Sequence, residues 1–224
     1  MSSPKIRNVT VVNHPLAQDK LWHLRNKHTP PDNFRRLVYE LSHIMGYEMA
    51  REFKTKNVKV ETPVGSTSTP KITETMAIVP IMRAGQAMVD GILDLMPTCA
   101  VGHIGIYRDK FVNNTVEYYF RLPQGIEGMR VAVLDPLLAT GETAIAAITR
   151  LKEYKVGPIS FVAMLAAEEG LKKFHKAHPD VHVYVLSIEP TINDQGYIVP
   201  GIGDAGDRIY GSMQTHHQAL GLGV

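Results

Sequence analysis

Residues 131–144, Val-Ala-Val-Leu-Asp-Pro-Leu-Leu-Ala-Thr-Gly-Glu-Thr-Ala, hold the densest chemistry in the chain. A short apolar run ends in an acid, Asp135, and a loop containing Ala139, Thr140 and Gly141 opens a helical stretch at Thr143. Gly141 lets the backbone come close to a ligand. Unpaired amide N–H groups at a helix start, with the Thr140 and Thr143 hydroxyls, attract an anion. A phosphate held this way needs no lysine. Asp135, at the strand tip, accepts hydrogen bonds and suits the vicinal hydroxyls of a sugar. An acid for a diol beside dipoles for a phosphate fits a sugar phosphate better than a lone phosphate. A Walker-type loop is excluded, because no Gly-Lys-Ser or Gly-Lys-Thr follows a glycine at the required spacing. The plainer alternative is a capped helix behind an ordinary turn.

A second segment, Gly201-Ile-Gly203-Asp-Ala-Gly206, matches G-x-G-x-x-G letter for letter. A dinucleotide-binding unit needs a helix, another strand and an acid about twenty residues on. The stretch after Gly206 is short and runs into a His-, Gln- and Gly-containing tail, so the match is rejected. The preceding Tyr197-Ile-Val-Pro-Gly predicts an extended segment entering a tight loop. Three glycines beside Asp204 and Asp207 expose main-chain donors and acceptors next to carboxylates. Such groups can read the amide edges of a flat heterocycle, with a carboxylate near a metal or leaving group. A simple turn is the alternative.

The elements that must position these loops emerge from periodicity. After Pro30-Pro31, with Asp32 as the expected N-cap, Phe34, Leu37, Val38, Leu41, Ile44 and Met45 recur at helical spacing. Val58 to Gly65 alternates at period two and meets a Gly-Ser-Thr-Ser-Thr-Pro turn. It reads as a hairpin arm over about 56–75, with Pro63 marking an edge strand. From residue 76, short apolar runs alternate with helical stretches: 76–80, then a helix through Met88, Ile92 and Leu95. The run 99–107 comes next, then 116–120 as an antiparallel addition. Strands at 131–134, 159–165 and 181–187 alternate with helices at 143–154 and 168–177. The fold class is therefore α/β, a mostly parallel central sheet flanked by helices, in one domain over 1–224. Ligands of such sheets sit beyond the carboxyl ends of the strands, where both loops fall.

Composition narrows the function classes. Lys plus Arg (24) against Asp plus Glu (22) leave only +2, and basic residues are spread along the chain, which argues against a nucleic-acid partner or an RNA-binding regulator. The single cysteine, Cys99, forms no intrachain disulfide and reads as a core thiol in a reducing, cytoplasmic setting. No apolar run reaches the roughly 18 residues of a membrane helix, and the start lacks a signal-peptide core. His175 and His178 read as a solvated helix face, and His216-His217 as solvated tail. Asp109 and Asp194 receive no assigned role.

Taken together, the motifs resemble a known family. Asp135-Pro-Leu-Leu-Ala-Thr-Gly-Glu-Thr is similar to the phosphoribosyl-pyrophosphate (PRPP) loop of type I phosphoribosyltransferases. Tyr197 to Arg208 resembles the base-binding segment of the uracil branch of that family, within about 188–211. Pro80-Ile-Met-Arg-Ala-Gly85, Tyr107-Arg108-Asp109 and His14-Pro15-Leu16 match it as well, in the same order along nearly the whole chain.

The resemblance implies transfer of a phosphoribosyl group from PRPP to uracil, giving uridine monophosphate (UMP) and pyrophosphate, in pyrimidine salvage. It implies that Asp135, Pro136, Leu137, Leu138, Ala139, Thr140, Gly141, Glu142 and Thr143 grip the ribose hydroxyls and the ribose-bound phosphate. Arg83 and Arg108 would contact the PRPP phosphates. Asp204 would lie near the pyrophosphate and its Mg2+, largely through water, and Ile198, Gly203, Asp204 and Ala205 would line the uracil. Asp135, Arg108 and Asp204 are the implied catalytic groups. Pro136 replaces the second acid of the common loop, as in the uracil branch. Glu142 stands where many members have a glycine; a carboxylate aimed at a phosphate repels it, so Glu142 is expected to face outward or to lower PRPP affinity. Family membership also implies a homodimer or homotetramer, with the long helix and the arm as interface material. A GTP activator is implied as well, to which Arg35 and Arg36 would contribute. The chemistry is displacement of pyrophosphate by a ring nitrogen through an oxocarbenium-like state, with no protein nucleophile. The same fold could serve another base instead, a question for base-by-base turnover.

Overall fold

The computed structural model describes residues 8–109 and 114–211, with only the backbone described at 108, 109 and 114. In chain order the elements are β1 (Val9–Val11), α1 (Pro15–Arg25), α2 (Pro31–Met49), β2 (Thr55–Thr62), β3 (Gly65–Ile72), β4 (Met76–Met82) and α3 (Val89–Leu95). Then come β5 (Ala100–Val101), β6 (His103–Asp109), β7 (Asn114–Arg121), β8 (Arg130–Leu134), β9 (Leu137–Leu138) and α4 (Glu142–Lys152). The chain continues through β10 (Ile159–Ala167), α5 (Glu168–Ala177), β11 (His182–Glu189), β12 (Thr191–Ile192), β13 (Ile198–Val199) and α6 (Ala205–Tyr210).

Among the described residues, nine strands form one sheet in the order β1-β11-β10-β8-β4-β6-β7, with β5 beside β4 and β9 beside β10. Every pairing is parallel except β6 with β7, the expected antiparallel addition. Strand side chains alternate between two cores, as the period-two geometry of a strand requires. Ala77, Val79, Ile81, Val131, Val133, Phe161 and Ala163 pack with α4 and α5. Ile78, Ala132, Leu134, Val162 and Met164 pack with α1, α2 and α3 on the opposite face. Burial on both faces explains the apolar runs 131–134 in β8 and 161–167 in β10.

Several details differ from the sequence expectations. The α2 cap is Pro30, without a side-chain bond, and Asp32 sits inside the first turn. Proline at the first helical position has no N–H to satisfy, and an early acid complements the helix dipole. The hairpin turns at Pro63-Val64, so the Gly-Ser-Thr-Ser-Thr-Pro stretch is its second strand, in register Thr62 with Gly65 through Thr55 with Ile72. Thr62 Oγ1 closes the turn, donating to Gly65 O at 2.9 Å and accepting from Val64 N–H at 3.3 Å. Every residue of β2 and β3 is exposed. His178 is buried rather than solvated. It comes after Leu171 and Phe174 on the inner face of α5, with Nε2 3.2 Å from Thr149 Oγ1 and from Ile145 O. His216 and His217 lie outside the described residues.

Candidate active site

The register of β4 and β8 sets the site. Pro80 pairs with Leu134, so Arg83 and Asp135 leave from neighbouring strand ends on the carboxyl side of the sheet. Between them and the segment after β11 lies a cleft of about 290 Å³, lined by Arg83, Ala84, Asp135, Leu137, Gly196, Tyr197, Asp204, Ala205 and Gly206. The two motifs, some sixty positions apart in the sequence, therefore face each other.

Asp135 stands at the end of β8, half-buried, and loss of water around its carboxyl pushes its pKa up to about 7. The Leu137 N–H, 3.3 Å from Oδ1, pulls the other way. Past Asp135 the chain rejoins the sheet: Leu137 and Leu138 pair with Leu165 and Ala166, and Pro136 O accepts from Met164 N–H at 2.9 Å. Pro136 and Leu138 are buried, and Pro136 O is taken up by the Met164 and Leu165 amides, whereas Leu137 lines the cleft.

Gly141 is the N-cap of α4 at φ 81°, a left-handed conformation that favours glycine, and no side chain caps the helix. The amides of Thr143 and Ala144 in the first turn of α4 thus meet no side-chain cap, the arrangement by which helix starts take anions. The hydroxyls of Thr140 and Thr143 have no hydrogen-bond partner among the described residues. Gly170 of α5 supports this loop closely: a Cβ there would stand 1.8 Å from Ala139 O. Glu142 is the first residue of α4, and its carboxylate is ion-paired with Lys173 of α5 at 2.8 Å.

On the opposite wall, β13 leads through a cis Val199–Pro200 peptide to Gly201 at φ 61°, where a Cβ would meet Ile198 O at 2.1 Å. Asp204 caps α6, its Oδ1 accepting from Asp207 N–H at 2.9 Å. Ile198 is buried in the core, paired with Ile192 in the β12–β13 ladder. Three arginines fasten this segment to the N-terminal helices. Arg208 donates to the carbonyls of Leu24 (2.7 Å), Asn26 (2.6 Å) and Ile202 (2.9 Å) and lies over the Phe34 ring. Arg25, paired with the buried Glu189, donates to Gly201 O at 3.1 Å, and Arg35 donates to Ile209 O at 2.8 Å. Carbonyls held from behind leave the segment's remaining main-chain groups in fixed positions at the cleft.

Of the expected site residues, Arg83, Asp135, Leu137, Asp204 and Ala205 line the cleft; Pro136, Leu138, Ile198, Gly203 and residues 139–143 are not in its lining, the last forming the loop and helix start that follow Leu137 along the chain. Gly203 lies between Ile202 and the Asp204 cap at φ 73°. Arg108 lies in β6, whose Gly105 pairs with Met82, which puts its backbone near the same end of the sheet; its side chain lies outside the described residues. Gly196, Tyr197 and Gly206 also line the cleft; Tyr197 and Gly206 belong to the segment expected to bind the base without being singled out as contacts, and Gly196 was not expected as a contact at all. Cys99 is partly buried, and loss of solvation raises its thiol to about 11, as a core thiol should be.

The chain matches the family model described as uracil phosphoribosyltransferase over residues 11–212. It is 48% identical to a uracil phosphoribosyltransferase of Streptococcus uberis, covering 90% of this chain and 97% of that protein. It is also 48% identical to one of Dictyoglomus thermophilum, covering 91% and 99%. A solved structure of a protein from Aquifex aeolicus superposes with a TM-score of 0.85 at 33% identity, covering 90% of this chain and 97% of that one. The chain belongs to the uracil phosphoribosyltransferase family.

Proposed function

We propose that this chain transfers the phosphoribosyl group of PRPP to uracil, producing UMP and pyrophosphate. The observation that carries the reading is the cleft in which Asp135 and Arg83, from adjacent strand ends, face Asp204, Ala205 and Gly206, with the uncapped start of α4 a few residues beyond Asp135 along the chain.

In this reading the amides and hydroxyls of residues 139–143 hold the ribose phosphate, and ionised Asp135 accepts from the ribose hydroxyls. Arg83, with Arg108, binds the pyrophosphate by its planar fork. Main-chain groups of Ile198, Gly203, Asp204 and Ala205 read the edge of uracil and hold its ring nitrogen against the anomeric carbon. Breaking the bond to pyrophosphate leaves positive charge on the sugar and negative charge on the leaving group. Catalysis is then positioning and charge stabilisation.

Mg2+ fits this donor set. Asp135 and Asp204 offer hard oxygens on two walls of the cleft, and among the described residues no cluster of three His, Cys, Asp or Glu side chains could hold an ion alone. A cation carried on the pyrophosphate, with water filling most of its shell, suits such a site, with Asp204 and Asp135 holding it largely through water. When bound it neutralises charge on the leaving group. GTP activation would act through Arg35 and Arg36, because Arg35 holds Ile209 O in the helix next to the base-binding loop. A homodimer or homotetramer, with the exposed β2–β3 arm as interface material, and a cytoplasmic site of action complete the reading.

The test supplies PRPP, Mg2+ and one base at a time, with and without GTP, and measures pyrophosphate release. Turnover with uracil is expected. Turnover with adenine or hypoxanthine but not uracil would overturn the assignment of residues 197–208.

A further inference from the structure

We propose that Tyr210 is a positioning residue for Arg83, coupling the base-binding segment to the arginine that holds the pyrophosphate end of PRPP; this rests on the reading of the cleft as the PRPP and uracil site. Tyr210 is the last residue of α6, the helix whose cap and first residues, Asp204, Ala205 and Gly206, line the cleft. Arg83 comes from the other side of the site, directly after β4. The Tyr210 hydroxyl donates to Arg83 O at 2.8 Å, and the Arg83 guanidinium carbon lies 5.6 Å from the centroid of the Tyr210 ring. One contact fixes the arginine's main chain and the other seats its side chain.

Among the described residues Arg83 has no carboxylate partner, so the ring is what restrains its head group. An unrestrained arginine loses rotamer freedom when it grips a phosphate; one already seated over a ring loses less. The anchor itself is firm. α6 is held by Arg208 on three carbonyls and by Arg35 on Ile209 O. Arg83 is therefore seated from an anchor that is already fixed before PRPP arrives.

The test is initial-rate pyrophosphate release by Tyr210→Phe and Tyr210→Leu, with melting temperatures measured alongside. Tyr210→Phe keeps the ring and removes one neutral hydrogen bond, so KM for PRPP should rise about three- to tenfold. The KM for uracil at saturating PRPP and kcat should stay within about twofold, since neither contact touches the base. Tyr210→Leu should raise KM for PRPP further, and in an Arg83→Ala background Tyr210→Phe should add nothing. An unchanged KM for PRPP in Tyr210→Phe would overturn the proposal. So would equal losses for both substrates with a lowered melting temperature, which would show only that α6 is disturbed. If the unsubstituted protein does not turn over uracil, the functional reading fails on its own. Calorimetric binding of PRPP with Mg2+ to the same variants then still decides whether Tyr210 sets Arg83.

Discussion

Glu142 of α4 and Lys173 of α5 are joined by a 2.8 Å ion pair that holds the one acidic side chain of the 139–143 loop against the neighbouring helix. A carboxylate at a helix start competes with a bound anion for the same amides and dipole. If residues 139–143 hold the phosphate as proposed, Lys173 acts on that site without touching it. Lys173→Ala should raise KM for PRPP about two- to fivefold, with stability changed by less than about 1 kcal/mol, as for other exposed pairs. Adding Glu142→Gln should restore the affinity. Steady-state kinetics on the two variants and the double variant check it; an unchanged KM in Lys173→Ala contradicts it.

Asp135 gives a pH dependence with a definite sign. Its carboxyl is pushed up to about 7 by burial, against an unfolded value of about 3.9. Between those values the folded protein keeps a proton that the unfolded chain has lost. Stability of the ligand-free protein therefore falls as pH rises through that window, by up to about 1.4 kcal/mol per unit, and levels off above about 7. Asp135→Asn should melt higher than the unsubstituted protein at pH 8 and nearly level with it at pH 4. Activity runs the other way. The diol needs the carboxylate, so kcat/KM for PRPP should climb through about pH 7, and Asp135→Asn should lose about a hundredfold or more. A flat pH profile would contradict the role.

Gly170 shapes the phosphate loop from behind. Its missing side chain accommodates the Ala139 carbonyl; a Cβ there would also stand 3.1 Å from Leu138 Cδ2. Gly170→Ala must displace the 138–141 backbone, because α5 is tied into the core by Leu171 and Phe174. The expected result is a stability loss of about 1–3 kcal/mol and at least a tenfold rise in KM for PRPP with a smaller change for uracil. Denaturant melts and kinetics measure both.

Arg208 should show the opposite selectivity. Removing it leaves three carbonyls, of Leu24, Asn26 and Ile202, without their donor. Arg208→Met, which keeps most of the stem's packing, should cost about 2–4 kcal/mol of stability. It should raise KM for uracil more than KM for PRPP. A variant that loses PRPP affinity first would contradict the assignment of the 198–206 main chain to the base.

The sheet is legible in the sequence because both its faces are buried, which leaves continuous apolar runs at 76–80, 131–134 and 161–167 and sets the acid-ending strand beside its loop. Less visible is whatever depends on partners distant along the chain. β1 and α1 carry little signal: three residues of strand gain meaning only by pairing with β11, and α1 buries only Ala17, Leu21 and Leu24 on a stripe broken by exposed Leu16 and Trp22. Composition points to the Gly-Ser-rich stretch as the hairpin turn, whereas a side-chain bond from Thr62 fixes it at Pro63-Val64. His178 reads as solvated because its lysine neighbours are, yet helical spacing from Leu171 and Phe174 turns it inward. Of the site, Asp135 and the helix start are readable from residue type and strand context, whereas Arg83 enters only through the family resemblance of Pro80 to Gly85. The arginine fastenings of the base-binding segment are not readable, since Arg25, Arg35 and Arg208 meet carbonyls on distant elements.

The most direct measurement is a crystal structure with PRPP and Mg2+ bound. The sugar's 5′-phosphate should lie on the amides and hydroxyls of residues 139–143, with both ribose hydroxyls on Asp135 and the pyrophosphate towards Arg83. Density for the sugar elsewhere, or the 5′-phosphate on a cationic side chain with the α4 start vacant, would contradict the account.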